Sequence, residues 1–180
     1  MRVISGTAKG LRLDAPKGMT TRPTAERVKE GLFSAIQFEI EGSRVLDLFA
    51  GSGQLAIEAL SRGAREAVLV DQDAEAIRVI RGNLAKTGFS DQARVIRGDS
   101  LQFLRNTSDR FDLIFLDPPY AEKNLETALN CISEFDILRE NGIIICEKAK
   151  DGIFSASFPG LRPDRTYRYG TVEVLLYRKE

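Results

Sequence analysis

From residue 44 onward the chain repeats one unit: a short apolar run, a turn, then a helical stretch. The runs are RVLDLFA (44–50), AVLV (67–70), ARVIRG (93–98), FDLIFLD (111–117) and GIIIC (142–146). They are continuously apolar rather than alternating. A strand of that kind is buried on both faces, which suits a parallel sheet covered by helices on each side. Between the runs, QLAIEALSRGA spaces Leu55, Ala59 and Leu60 along one helical face, with Gly63 placed as a stop. DAEAIRVIRGNLAKTG does the same with Ile77, Ile80 and Leu84, ending at Gly88. The alternation predicts a doubly wound α/β sheet.

The two ends follow other periods. TYRYGTVEVLLYRK sets Val172, Val174 and Leu176 in alternation, the pattern of an antiparallel C-terminal edge strand or hairpin. At the start, RVISG and GLRLDAP flank TAK and read as a small hairpin. Residues 24–38 read as a helix with Thr24 as N-cap, Glu26 in the first turn, and Val28, Leu32, Ala35 and Ile36 inward. The expected layout is one domain over 1–180, with a hairpin–helix appendage (1–40) on an α/β core (41–180). At 180 residues and 43% hydrophobic, the chain can fill a single core.

The chain has no histidine. His-based triads, His general acid–base catalysis and nearly all catalytic zinc sites are thereby excluded. Cys131 and Cys146 fit no metal spacing and read as buried thiols of a reduced, cytoplasmic protein, with no metal expected. No apolar stretch nears the ~20 residues of a membrane span, and MRVISGTAKG lacks the apolar centre of a signal peptide. Net charge is zero, but residues 1–30 carry seven bases (Arg2, Lys9, Arg12, Lys17, Arg22, Arg27, Lys29) against three acids. Arg162, Arg165, Arg168, Arg178 and Lys179 form a second basic group near the C-terminus. Such patches suit phosphates or simply a solvated surface.

DLFAGSGQLA sets a strand, a glycine turn and a helix in succession. Gly51 and Gly53 allow a close approach of ligand to backbone that side chains would block. Asp71, at the end of the next strand, falls where a carboxylate receives both ribose hydroxyls. Asp99, after the third strand, can receive an adenine amine. With the flanking Phe49, Gln72 and Ser100, these residues form a candidate nucleoside-cofactor site. Gly51-x-Gly53-x-x-Ala56 also satisfies the dinucleotide fingerprint, so a nicotinamide cofactor is an alternative. Against it, Asp47 just before the loop suits a cationic ammonium better than a pyrophosphate. Only about 60 residues follow the fourth run, too few for a second domain to hold a hydride acceptor.

In FLDPPYAE the two prolines end the fourth strand, because proline cannot donate to a sheet ladder. Asp117 is pushed to extended angles by Pro118, whose own φ is fixed. Neither Pro118 nor Pro119 offers an N–H, so the turn presents acceptors: the Asp117 carboxylate and the Pro118 carbonyl. Two acceptors match the two hydrogens of an exocyclic amine, and Tyr120 offers a face for stacking a planar base. Engaging both hydrogens frees the amine lone pair to point at an electrophilic methyl group. Asp117, Pro118, Pro119 and Tyr120 are the candidate catalytic residues.

With both motifs in hand, the chain resembles the Rossmann-like S-adenosylmethionine-dependent methyltransferases. Within them it is similar to the bacterial RsmD family, which methylates guanine N2 in small-subunit ribosomal RNA. The likeness runs through MRVISGTAKGLRL, TRPTAERVKEGLF (21–33), VLDLFAGSG, EALSRGA, FDLIFLDPPY and RYGTVEVLLY. Gln54 stands where the family carries a small residue. The resemblance implies a mostly parallel seven-stranded sheet with an antiparallel C-terminal strand, and S-adenosylmethionine as cofactor. Asp47, Gly51 and Gly53 would hold its methionine part, Asp71 the ribose and Asp99 the adenine; Asp117 to Tyr120 would hold the target guanine. Arg22 and Arg27 would sit at the mouth, and with Arg2, Lys9 and Tyr120 would contact the RNA. The implied partner is small-subunit ribosomal RNA or the small ribosomal subunit; oligomeric state is open. An adenine-N6 methyltransferase on DNA or RNA fits the same acceptor pair, and a non-catalytic RNA-binding factor could retain the fold.

Overall fold

The computed structural model describes residues 1–18, 23–118, 122–150 and 157–180. Five parallel strands form the body of the sheet: β1 (Arg44–Leu48), β2 (Glu66–Asp71), β3 (Ala93–Arg97), β4 (Phe111–Leu116) and β5 (Leu138–Ala149). A terminal hairpin, β6 (Leu161–Tyr169) and β7 (Val172–Lys179), adds to the β5 side through β7, which runs antiparallel to both neighbours. The order is β3-β2-β1-β4-β5-β7-β6. The C-terminal segment thus takes the hairpin alternative, with β6 on the edge and β7 inside.

The apolar runs fall on the five parallel strands as expected, and those of β1, β2, β4 and β5 are buried on both faces. β3 departs from the expectation, because it lies at the sheet edge with Ala93, Val95 and Ile96 only half-buried and Arg94 and Arg97 exposed. One face of the sheet carries Val45, Leu69, Leu113, Phe115, Ile143 and Ile145; the other carries Leu46, Leu48, Val68, Ile114, Ile144 and Cys146. Three helices cover the first face: α1 (Pro23–Ala35), α2 (Gln54–Ser61) and α3 (Ala74–Thr87). Two cover the second: α4 (Ser100–Asn106) and α5 (Glu122–Glu134). Cys131 and Cys146 are buried free thiols, and burial pushes the Cys146 thiol up.

Local chemistry sets the helix ends. Asp73 accepts from the Ala76 N–H at 2.8 Å to start α3, and Gly88 ends it in the left-handed region at φ 81°. α1 starts one residue before the expected 24 and stops at Ala35 rather than 38. Backbone bonds from Glu39 to Ile36 and from Ser43 to Ile40 turn the chain toward β1, leaving Phe38 exposed.

The N-terminal segment forms a bridge at Arg2–Arg12, and Val3, Ala8 and Leu13 are buried against the α1–α3 side of the core. Polar side chains of the core pin it down. The fully buried Glu58 of α2 accepts from the Ile4 and Ser5 N–H groups at 2.8 and 3.0 Å. Arg62 donates to Glu58 at 2.8 Å, and the Lys29 ammonium lies 3.6 Å from it while donating to the Arg2 carbonyl. Burial lowers the Lys29 pKa, and Glu58 works against that shift. Ser61 accepts from the Ala8 N–H and donates to the Ser5 carbonyl.

Candidate active site

β1 lies between β2 and β4, and the three run parallel with Asp47 level with Leu69 and Phe115. Loops leaving the carboxyl ends of β1, β2 and β4 therefore emerge side by side where the strand order reverses, the usual ligand position in such sheets. The glycine loop of β1 meets the Asp117-Pro118 turn of β4 there.

The loop is held from several sides. Phe49 adopts φ 59°, unusual for a bulky residue, and its N–H donates to the Ser100 hydroxyl at 3.3 Å. The Gly51 N–H donates to Asp71 Oδ2 at 2.9 Å, while Asp71 Oδ1 accepts from Asp73 N–H at 2.9 Å. Gly53 sits at φ 75°, where an added Cβ would lie 3.0 Å from Leu69 Cδ2. Glycine is required there by both backbone angle and space.

Gly53 precedes α2 and has no side chain with which to cap it. Asp47 does so from β1, its Oδ2 accepting the Ala56 N–H at 3.1 Å. Its carboxyl is buried, and burial pushes its pKa well up, against the Ala56 hydrogen bond and with repulsion from Asp117 and Asp71 adding to the rise. Behind the loop, Asn83 of α3 donates to the Ser52 and Asp14 carbonyls and accepts from the Asp14 N–H, and Ser52 donates to the Met1 sulfur. The N-terminal segment is thus tied to the back of the glycine loop.

A cavity of about 100 Å3 is lined by Phe49, Asp71, Gln72, Asp99, Ser100, Leu101 and Asn124. Asp99 caps α4 through the Gln102 N–H at 2.7 Å, using one carboxylate oxygen. Carboxylates from β2 and α4 and apolar walls from Phe49 and Leu101 match a nucleoside: acceptors for hydroxyls and an amine, flat apolar surface for a base. Each Asp71 oxygen retains a lone pair beyond its loop bond. A larger open trough of about 430 Å3 runs between β3 and α4 and shares Asp99, but no residue of the glycine loop lines it.

At the tip of β4, Asp117 opens onto the surface, yet surrounding protein withholds enough water to push its carboxyl up to about 6. Glu147 stands beside it on β5 and is raised to about 7 by burial, with the charge of Asp117 adding. Pro118 is half-buried. The candidate residues Pro119, Tyr120 and Arg22 lie outside the described residues. Arg2, Lys9 and Arg27 are exposed, and Arg2 lies 3.5 Å from Glu26 of α1.

Sequence reasoning missed Asn124 and Glu147. Asn124 lies on the first turn of α5, four positions past Tyr120, on a helix whose face toward the cavity the motif alone does not reveal. Glu147 directly follows the GIIIC run and is brought next to Asp117 by the pairing of Leu116 with Cys146.

A family described as Conserved hypothetical protein 95 matches residues 1–178. YlbH of Bacillus subtilis is 42% identical over 182 residues, covering 99% of each chain. A Haemophilus influenzae protein named ribosomal RNA small subunit methyltransferase D is 38% identical, covering 84% of this chain and 80% of its own. Among solved structures, yhhF of Escherichia coli superposes with a TM-score of 0.90 at 31% identity, covering 100% of this chain and 98% of that one.

Proposed function

The chain belongs to the RsmD family, the one described as Conserved hypothetical protein 95, and from that premise we propose that it methylates the exocyclic N2 amine of a guanine in small-subunit ribosomal RNA. The observation that carries this reading is the parallel pairing of β1 with β4, which sets a glycine loop beside an acceptor-only turn at one edge of the sheet. S-adenosylmethionine, when bound, supplies an electrophilic methyl group. The residues present fit it: Asp71 and the Gly51–Gly53 backbone at its ribose and methionine parts, Asp99 at its adenine, and Phe49, Gln72, Ser100 and Leu101 around them. Asp47 would face its ammonium, and that positive charge would offset the repulsion Asp47 receives from Asp117 and Asp71.

Asp117 and the Pro118 carbonyl accept the two hydrogens of the guanine amine and orient its lone pair. Pro119 stiffens the turn, and Tyr120 stacks on the base. After transfer the amine nitrogen is strongly acidic, and Asp117 is within reach to take its proton; no histidine is needed. Arg2, Lys9, Arg22 and Arg27 bind phosphates around a base drawn out of folded RNA. The substrate is the assembled or assembling small subunit in the cytoplasm, and one domain spanning 1–180 carries the activity.

The test is mass mapping of rRNA nucleosides in cells lacking the gene, before and after its return. One N2-methylguanine should vanish and reappear. Loss of an N6-methyladenine instead would move the substrate to adenine; an unchanged nucleoside map would overturn the reading.

A further inference from the structure

The site holds more acceptors than an amine alone can use. Leu116 is level with Cys146, so the residues that follow, Asp117 and Glu147, leave adjacent parallel strands together. They extend the face that carries Phe115 and Ile145, which is also the face of Asp47. Lys148, next along β5, falls on the opposite face and pairs with Glu173 at 3.0 Å. Among the described residues, no cation and no hydrogen-bond donor offsets the rise at either Asp117 or Glu147. Two unpaired acids side by side cost stability, and a fold keeps such a pair where a ligand supplies the missing donors.

The donor pattern of the ligand follows. Adenine offers its amine hydrogens, but its neighbouring ring nitrogen N1 is an acceptor that a carboxylate repels. Guanine presents N1–H beside the N2 amine, three donors in a row. Asp117 and the Pro118 carbonyl account for two. We infer that Glu147 accepts the third, N1–H, and so makes the pocket selective for guanine. This rests on the methyltransferase reading above and adds a residue to it. A carboxylate on N1–H also pushes electron density through C2 into N2, so Glu147 raises the reactivity of the amine as well as selecting its base.

The experiment uses small subunits from cells lacking the gene, with the methyl-accepting nucleotide located by mass mapping. Subunits are rebuilt with guanine, 2-aminopurine or adenine at that position. 2-Aminopurine keeps the C2 amine but presents N1 as an acceptor. Wild-type kcat/KM should be at least about tenfold higher on guanine than on 2-aminopurine, with no transfer to adenine. Glu147→Gln should lower the guanine rate by about tenfold, mainly in kcat, and bring the guanine to 2-aminopurine ratio near one. Its S-adenosylmethionine affinity should match wild type, and its melting temperature should equal or exceed wild type, because one of the two adjacent charges is gone. Equal wild-type rates on guanine and 2-aminopurine overturn the inference, as does a Glu147→Gln enzyme that keeps the wild-type ratio. If Glu147→Gln fails to fold, Glu147→Asp, which retracts the charge by one methylene, serves in its place. Absence of wild-type transfer to any template is a separate result: it removes the methyltransferase reading, and this inference with it.

Discussion

The two halves of the site treat their carboxylates in opposite ways. On the β1–β2–β3 side every acid is already engaged by backbone: Asp47 by Ala56, Asp71 by Gly51 and Asp73, Asp99 by Gln102. On the β4–β5 side, Asp117 and Glu147 have no such partners among the described residues, and both are pushed toward neutrality. The first half is a frame set before any ligand arrives, and two of its acids, Asp71 and Asp99, line the cavity. The second is a set of acceptors waiting for donors. A frame costs nothing to complete, whereas unpaired acids are stabilised only when a base occupies them. Under the proposed function, the first half positions the cofactor and the second recognises the base and carries the chemistry.

The sharpest way to break the contrast is to remove the chemistry and leave the frame. Asp117→Ala should lower methyl transfer by about a thousandfold, roughly 4 kcal/mol of transition-state stabilisation, with S-adenosylmethionine affinity within a few-fold of wild type. Calorimetry beside a labelled-methyl assay separates the two, and a parallel loss of cofactor binding would merge the halves.

Next in size is an attack on the frame from behind. Glu58→Ala leaves the buried Lys29 and the half-buried Arg62 without their acid and two backbone N–H groups without an acceptor. Denaturant unfolding should show a loss of about 3–5 kcal/mol. Cofactor binding should weaken as well, because the N-terminal segment is tied to the glycine loop through Met1 and Asn83.

pH distinguishes the halves more gently. Asp117 must be ionised to accept from the amine, and it gains its proton as pH falls through about 6. Transfer should therefore begin to fall as Glu147 gains its proton near 7 and drop at least about tenfold per unit below about 6, while cofactor affinity changes little. Activity unchanged down to pH 5 would contradict an ionised Asp117. The smallest effect expected is from Gly53→Ala: a positive φ and a 3.0 Å contact with Leu69 should cost about 1–2 kcal/mol in stability, with weaker cofactor binding.

The frame was legible in the sequence because its signals are local. Continuous apolar runs mark strands buried on both sides, Gly88 marks a helix end, and DLFAGSG and LDPPY place turns at strand tips without reference to anything distant. What escaped is what the register creates. Glu147 gains its proposed role from a neighbour thirty positions back on another strand, and Asn124 its place in the cavity from a helix packing toward walls built by others. Glu58 looks like an exposed helical acid until the N-terminal segment folds over it from 53 and 54 residues away. The C-terminal alternation left an edge strand or a hairpin open, and could not tell that the hairpin's second strand lies inside the sheet and its first on the edge.

The most direct test is a crystal structure with S-adenosylhomocysteine and a guanine nucleotide bound together. The account predicts the sulfur over the Gly51–Gly53 loop and the guanine amine on Asp117 and the Pro118 oxygen, with room between them for one methyl group. A sulfur lying away from that loop, or separated from the Pro118 oxygen by more than a methyl can span, would contradict it.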